Sequence, residues 1–191
     1  VIWCQLFSEP DAGSDAAGIK TKATRVEGGW LINGQKVWTS GAHRASFGLA
    51  TVRTNPDAPK HQGITTVVID MKADGVTVRP LRMVTGNAEF NEIFFDDVFV
   101  PNDHVFLDGQ VEESSAFAHS LGLWERLGAS SGQVKKAEQL VGLAQLIAEA
   151  NGTQKVAHIR DKINDMVLHA TMLRAGYEAA IAGSTVAADG T

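Results

Sequence analysis

The chain has 191 residues, 44% hydrophobic and 20% charged, and carries a formal net charge of −5. This mild acidity, without a basic stripe or polybasic tract, argues against nucleic acid and anionic membrane partners, and no apolar run approaches the ~20 residues that span a bilayer. The single cysteine, Cys4, excludes a disulfide framework and a cysteine-rich metal site, and it fits a reducing compartment, so we expect a cytoplasmic protein.

Short segments with strand character fill roughly the first hundred residues. They are rich in β-branched and aromatic residues, and Gly, Pro, Asn and Asp separate them at roughly 8–12-residue intervals. This spacing predicts an antiparallel β-barrel or β-sandwich domain. Outside the hairpin discussed below, the predicted strands cover residues 1–7, 19–26, 47–53, 64–70, 76–80 and 88–98.

The first predicted strand ends abruptly in a polar loop, residues 8–15. Pro10 removes a backbone donor and Gly13 permits a positive φ, so the strand cannot continue. The loop presents Ser8, Ser14 and backbone N–H groups at the rim of a sheet, where a flat or anionic ligand can bind. The alternative is ordinary turn chemistry, for which Ser, Gly and Asp are also typical.

A second informative segment covers residues 30–41. Asn33-Gly34 lies between two β-rich runs and predicts a hairpin with a type I′ turn. The second run ends at Trp38-Thr39-Ser40-Gly41, where an indole could lie against a fused-ring cofactor while a hydroxyl reaches the polar edge of the ring. A buried Trp beside a satisfied turn is the structural alternative.

The hydrophobic period changes after Pro101, and apolar residues then recur three and four positions apart. The pattern predicts helices over 112–129, 133–150 and 154–182, with Asn151-Gly152 as a left-handed stop. The fold class is therefore α+β, with a β-domain over residues 1–110 and part of a helical bundle over 111–191. The chain opens in mid-strand and ends at Thr191 without obvious closure, so we expect a fragment.

Three ordered motifs together resemble the acyl-CoA dehydrogenase family. They are Ser8-Glu9-Pro10-Asp11-Ala12-Gly13-Ser14-Asp15, Ile32-Asn33-Gly34-Gln35-Lys36-Val37-Trp38-Thr39-Ser40-Gly41, and the strand and loop at residues 89–101. The resemblance implies that residues 1–110 form that family's middle β-domain. It further implies FAD-dependent α,β-dehydrogenation of an acyl-CoA, an electron-accepting flavoprotein as partner, and a homotetramer or homodimer.

The resemblance also implies roles for individual residues. Phe7 and Ser8 match the strand end that contacts the pyrimidine side of the flavin, and Trp38 and Ser40 match the indole beside the ring and the hydroxyl near its N5. Ser14 matches the loop position that contacts the pantetheine and pyrophosphate part of acyl-CoA.

The reaction needs a carboxylate to remove the proton α to the thioester, and desolvation makes such a base stronger. Most family members carry it in a later loop, which would lie beyond Thr191, but a minority place it on the first long helix after the β-domain, before an arginine. Glu125 is therefore the candidate base and Arg126 its candidate substrate-binding partner. An exposed Glu-Arg pair of no catalytic role is the alternative.

The helical half departs from the ordinary dehydrogenases, since the Arg-x-x-Phe-Gly element is not found. Residues 147–152 and 158–163 instead resemble a sister family of 4-hydroxyphenylacetate 3-monooxygenases and 4-hydroxybutyryl-CoA dehydratase. A reduced-flavin monooxygenase acting on a phenol is thus an alternative, as is a catalytically silent fragment. The dehydratase's iron–sulfur cluster needs His and Cys near Glu125 and Gly132, and Cys4 is the only thiol.

Two further polar features are weaker. A metal could bind the helical face that carries His158, Asp161, Asp165 and His169, although a solvated polar face is the favoured interpretation and no metal is expected. His43 follows the Trp38 segment and could lie near the flavin, although a turn histidine is the simpler interpretation.

Overall fold

A computed structural model describes residues 1–185 as eight strands followed by two long helices. Residues 186–191, where the sequence suggests an open end, lie outside this range. The strands are β1 Trp3–Leu6, β2 Lys22–Val26, β3 Gly29–Ser40, β4 Phe47–Arg53, β5 Ile64–Asp70, β6 Val76–Pro80, β7 Phe90–Pro101 and β8 Val105–Asp108. The helices are α1 Val111–Ala150 and α2 Ala157–Ala182.

The strands form one sheet in the order β6-β7-β3-β2-β4-β5-β8, with β1 paired to β4. β1 and β2 each run parallel to β4, and the remaining pairs are antiparallel. The α+β class predicted from the sequence is confirmed, while the sheet is mixed instead of purely antiparallel. Fully buried aliphatic residues from five strands form its core: Leu6, Ile32, Val52, Val67, Ile69, Ile93, Val98.

The predicted hairpin at Asn33-Gly34 is wrong, because β3 continues straight through both residues. The turn instead lies at Glu27-Gly28, where Gly28 has φ +77° and joins β2 to β3. At Asn33 the amide group braces a β-bulge on the neighbouring strand: its Nδ2 donates to Asp97 Oδ1 at 2.8 Å, and its Oδ1 accepts the Asp97 amide at 3.0 Å. The turn-forming chemistry of Asn33 therefore serves a tertiary contact.

β3 and β7 shift register twice, and each shift coincides with a residue of positive φ. Between Ile32 and Gly34 the extra residue is on β7, where Asp97 has φ +48°. The second shift, between Lys36 and Thr39, puts the extra residue on β3, where Trp38 has φ +62°. A bulge changes the direction of a side chain, which explains why Trp38 faces outward although Trp30, Ile32 and Lys36, at the same alternate positions of β3, are buried.

The two helices predicted over 112–129 and 133–150 are one continuous helix, α1. The predicted break contains Ser130, Ser131 and Gly132, but both hydroxyls bond back to helix carbonyls, at 2.7 Å to Arg126 O and 2.9 Å to Gly128 O. The two hydroxyl groups therefore find hydrogen-bond acceptors within the helix and do not interrupt it.

The predicted stop after α1 is confirmed at Asn151-Gly152. Gly152 has φ +67°, its amide donates to Glu149 O at 3.0 Å, and the Thr153 amide donates to Ala148 O at 2.8 Å. These two bonds form a Schellman cap, for which a left-handed glycine is typical. The third predicted helix is also confirmed, as α2.

The chain divides into two compact units, Val1–Ser114 and a second unit from Ser115 onward. The first contains the whole sheet. In the second, large apolar side chains remain exposed on both helices, including Trp124 at 75% and Met172 at 63%. An exposed ion pair between Glu138 and Arg174 connects α1 to α2.

Candidate functional site

The end of β1 lies directly against the bulge of β3. The Val37 amide donates to the Ser8 carbonyl at 2.9 Å, and the Lys36 Nζ donates to the Phe7 carbonyl at 3.0 Å. Both Phe7 and Ser8 are half-buried. These two bonds place Ser8 beside the residue that precedes Trp38, so the two segments singled out in the sequence share one edge of the sheet.

Trp38 is the most prominent side chain at this edge. It is 63% exposed, and its ring meets Phe90 edge-on, with centroids 6.2 Å apart and planes at 80°. Ser40, two residues later, is also exposed. An open indole face beside accessible hydroxyls suits a flat ring system with a polar rim.

A buried asparagine holds residues 38–41 in place, a segment in which β3 bulges at Trp38 and the chain turns at Gly41, and which we name the Trp38 turn. Asn91 on β7 is 0% exposed, and its Nδ2 donates to the Thr39 carbonyl at 2.9 Å and to the Glu89 carbonyl at 3.2 Å. The Gly41 amide, at φ +66°, donates to the same Glu89 carbonyl at 2.9 Å. The turn is therefore fixed from β7 and the residue before it by bonds that do not involve its exposed side chains.

His43 lies on the same network. Its Nδ1 is 3.2 Å from Asn91 Oδ1, and its side chain is exposed. The imidazole thus supports the asparagine that holds the turn. A contact between His43 and a flavin remains a prediction.

An ion pair lies beneath the end of β1, and the sequence did not indicate a role for it. Lys36 is 0% exposed and Glu9 7% exposed, and Lys36 Nζ lies 2.8 Å from Glu9 Oε1. The same oxygen accepts the Thr21 amide at 3.0 Å, and Oε2 accepts the Lys20 amide at 2.6 Å.

Two opposing effects act on the pKa of each member of this pair. Burial raises the pKa of Glu9, but the bonds from Lys36, Thr21 and Lys20 together with the Lys36 charge outweigh it, so the pKa falls below its ordinary value. For Lys36, burial lowers the pKa, and the bond and charge of Glu9 offset only part of that effect. The signal that could have identified the pair is a lysine at the alternate strand positions that also hold the apolar Trp30 and Ile32.

Ser14 lies in the loop that follows the β1 end and is exposed. The loop is closed at its base by two backbone bonds between Glu9 and Ala12, of 2.8 and 3.1 Å. At its far side, Asp15 Oδ2 accepts a bond from Lys60 Nζ at 2.6 Å. The loop is thus braced at both ends, and Ser14 is accessible to a ligand.

Glu125 and Arg126 lie on α1, in the helical unit, and both are exposed. Arg126 lines an apolar groove of about 910 Å³ between α1 and α2, together with aromatic and aliphatic residues that include Trp124, Leu127 and Tyr177. Glu125 does not line this groove. Their predicted roles in catalysis and substrate binding remain predictions.

The polar face on α2 does not form a metal site. Within residues 1–185, no group of three or more His, Cys, Asp or Glu side chains is placed to hold a metal ion. The carboxylates and imidazoles at positions 158–169 are exposed along the helix, as on an ordinary solvated face. Over the same residues, no helix combines the length and apolarity needed to cross a bilayer.

Two protein-family models match this chain. Residues 4–98 match the one described as acyl-CoA dehydrogenase, middle domain, and residues 114–191 match the one described as 4-hydroxyphenylacetate 3-hydroxylase C terminal. Among curated proteins, acyl-CoA dehydrogenase FadE34 of Mycobacterium tuberculosis is 52% identical over 131 residues, which is 69% of this chain and 18% of that protein.

Solved structures show the same likeness. The chain resembles the "Tcur3481-Tcur3483 steroid ACAD" with a TM-score of 0.83 at 25% identity, covering 95% of this chain and 47% of that one. It resembles the "FAD complex of PigA" with a TM-score of 0.82 at 26% identity, covering 94% of this chain and 48% of that one. The chain spans less than half the length of each of these relatives.

Proposed function

This chain belongs to the acyl-CoA dehydrogenase family, and we propose that it is part of an FAD-dependent enzyme that introduces an α,β double bond into an acyl-CoA thioester. In this proposal, residues 1–110 serve as the middle β-domain and residues 111–191 as part of the C-terminal helical domain. One observation carries the proposal: the Val37–Ser8 bond brings the β1 end and the Trp38 turn to one edge of the sheet.

The residues at this edge fit a flavin. Trp38 offers an indole that is 63% exposed and makes an edge contact with Phe90, and Ser8 and Ser40 offer hydroxyls. We assign the isoalloxazine ring to this edge, with Phe7 and Ser8 on its pyrimidine side, Trp38 against its face and Ser40 near N5. The solved FAD complex of PigA, a structural relative, supports the choice of flavin.

The chain's residues would orient the reactants and remove a proton. Ser14, on the braced loop, would contact the pantetheine and pyrophosphate of the acyl-CoA. Glu125 would accept the proton from the α carbon, with Arg126 as its substrate-binding partner, as the α and β carbon–hydrogen bonds break and the double bond forms. When bound, FAD supplies a two-electron acceptor for the hydride that leaves the β carbon.

Titration with FAD tests the flavin assignment. Fluorescence reports binding, and the dissociation constants of the parent and of Trp38→Ala are compared. Loss of one aromatic contact weakens binding by about two- to tenfold. Trp3→Ala is the matched control, because Trp3 is 54% exposed on the same sheet but packs on Phe47, with centroids 5.3 Å apart. Equal losses of FAD affinity in both variants would reject the proposal. A folded parent that binds no FAD would also reject it, and this second result is the one expected of a catalytically silent chain.

The base is tested separately in the full-length protein. Glu125→Gln should lower kcat by roughly 10²–10⁴-fold at unchanged FAD affinity if Glu125 removes the proton. Glu113→Gln, on the first turn of the same helix, is the control. An unchanged kcat for Glu125→Gln would transfer the role to a carboxylate elsewhere.

A second candidate function has its own support in the match of residues 114–191 to a hydroxylase C-terminal model. In this alternative, a reduced flavin supplied by a partner reductase hydroxylates a phenol, and no base at Glu125 is needed. Anaerobic bleaching of the flavin by an acyl-CoA would support the dehydrogenase, and oxygen-dependent phenol hydroxylation the monooxygenase.

We also assign to the whole protein the partners that the family implies. These are an electron-accepting flavoprotein and further copies of the same chain in a dimer or tetramer. The cytoplasm is the proposed location. Reduction of an added electron-transfer flavoprotein by acyl-CoA, and sedimentation of the full-length protein, test the two partners.

A further inference from the structure

The buried ion pair below the candidate site connects both of its halves. Lys36 Nζ donates to Glu9 Oε1 at 2.8 Å and to the Phe7 carbonyl at 3.0 Å, so one ammonium group binds the residues on either side of Ser8. Lys36 itself directly precedes Val37, whose amide binds the Ser8 carbonyl. The ammonium thus holds the β1 end against the bulge that carries Trp38.

The carboxylate of the pair is itself fixed. Its two oxygens accept the Thr21 and Lys20 amides, at 3.0 and 2.6 Å, in addition to Lys36. The Thr21 hydroxyl then donates to the Gln35 carbonyl on β3 at 3.2 Å. The pair therefore cannot shift without moving the chain before β2 and the middle of β3 together.

Stability alone does not account for such a pair. Removing two charges from water costs about as much as their attraction returns, and apolar residues of similar volume often serve a core equally well. An apolar pair at positions 9 and 36 would fill the space, but it would leave the Phe7 carbonyl without its donor. What the ion pair contributes beyond packing is the fixed separation between two backbone segments.

We propose that Lys36 and Glu9 are positioning residues that set the distance between the β1 end and the Trp38 turn, and with it the width of the isoalloxazine site. This inference rests on the flavin-binding function proposed above. Neither side chain touches the flavin, because both lie beneath the edge and are at least nine-tenths buried. They act through Phe7, Ser8 and Val37.

The test is the double variant Glu9→Gln/Lys36→Met, which removes both charges and retains most of the volume. Two readouts are made: hydrogen exchange of the Val37 amide in the flavin-free protein, and the FAD dissociation constant with the visible flavin spectrum. We expect faster Val37 exchange, a dissociation constant about tenfold higher and an altered spectrum, with an unfolding midpoint somewhat below that of the parent because the Phe7 carbonyl loses its donor.

The control is Glu138→Gln/Arg174→Met, which removes an exposed ion pair from the helical unit, where the side chains are 42% and 50% exposed. It should leave Val37 exchange and FAD binding unchanged. If the double core variant does not fold, Glu9→Gln alone is used, because it retains the shape of the side chain. Val37 exchange and FAD binding are measured for it in the same way.

The outcomes separate this inference from the function on which it rests. A parent that binds FAD and a core variant that binds it equally tightly, with unchanged Val37 exchange, would overturn the positioning role and leave the proposed function standing. A parent protein that binds no FAD would instead overturn the proposed function, and titration of the parent is enough to reveal that result.

Discussion

Replacing Gly34 by Ala tests how β3 passes through the Asn33-Gly34 pair. Gly34 has φ +147°, and a Cβ built there would meet Thr21 Cα at 2.7 Å and Thr21 Oγ1 at 2.8 Å. Thr21 is 1% exposed and its amide binds Glu9, so the neighbouring backbone has little room to move. The variant therefore combines backbone strain with overpacking.

The expected cost follows from these two terms. Overpacking costs about 1–3 kcal/mol and an unfavourable φ/ψ about 1–3 kcal/mol, so we expect Gly34→Ala to lose about 2–6 kcal/mol of unfolding free energy. Gly28→Ala is the matched control: it has φ +77° in the β2–β3 turn, but nothing lies within 4 Å of the added Cβ. It should lose only about 1–2 kcal/mol.

Urea unfolding monitored by circular dichroism measures both variants. With a slope of about 2 kcal/mol/M, Gly34→Ala should lower the midpoint by about 1–3 M and Gly28→Ala by about 0.5–1 M. The entropy that Ala removes from the unfolded chain is the same in both and cancels in the comparison. Equal midpoint shifts would refute the close approach of Gly34 to Thr21, and with it the continuous course of β3.

Three further predictions concern buried polar groups. Because the folded pKa of Glu9 lies below its ordinary 4.5, the contribution of ionised Glu9 to stability is present above that pH and is lost as the pH falls through the folded value; the acid limb of unfolding should flatten in Glu9→Gln. Burial raises the pKa of Cys4 to about 11, so at pH 8 its alkylation should be roughly a hundredfold slower than in the unfolded chain, and comparable rates would contradict its burial. Asn91→Ala leaves the Thr39 carbonyl without its donor and should cost about 1–3 kcal/mol in urea unfolding, whereas an unchanged midpoint would show that the turn does not depend on Asn91.

Local patterns in the sequence predicted most elements correctly. β4 and β5 were predicted within their observed bounds, because β-branched runs between turn residues report strands with little tertiary help. The stop at Gly152 was predicted for a similar reason, since only a glycine adopts the left-handed conformation at low cost. β8, residues 105–108, was missed because its four residues become a strand only by pairing with β5.

The candidate site was predicted in part. Ser8 and Trp38 were singled out on motif chemistry, and the structure places their segments against each other. Glu9, Lys36 and Asn91, which hold those segments, received no role, because the bonds Lys36–Glu9 and Asn91–Thr39 join residues 27 and 52 positions apart along the chain.

The sequence by itself determined the class of this protein, its strand and helix composition, and the two polar segments at which we propose that the flavin binds. These follow from periodicity, turn residues and motifs, which act over a few neighbouring residues. Only the tertiary structure decided that Asn33-Gly34 continues a strand, that Trp38 turns outward at a bulge, and that a buried ion pair joins β1 to β3. Each depends on the register between distant strands, where packing and hydrogen bonds outweigh the local preferences of the residues involved.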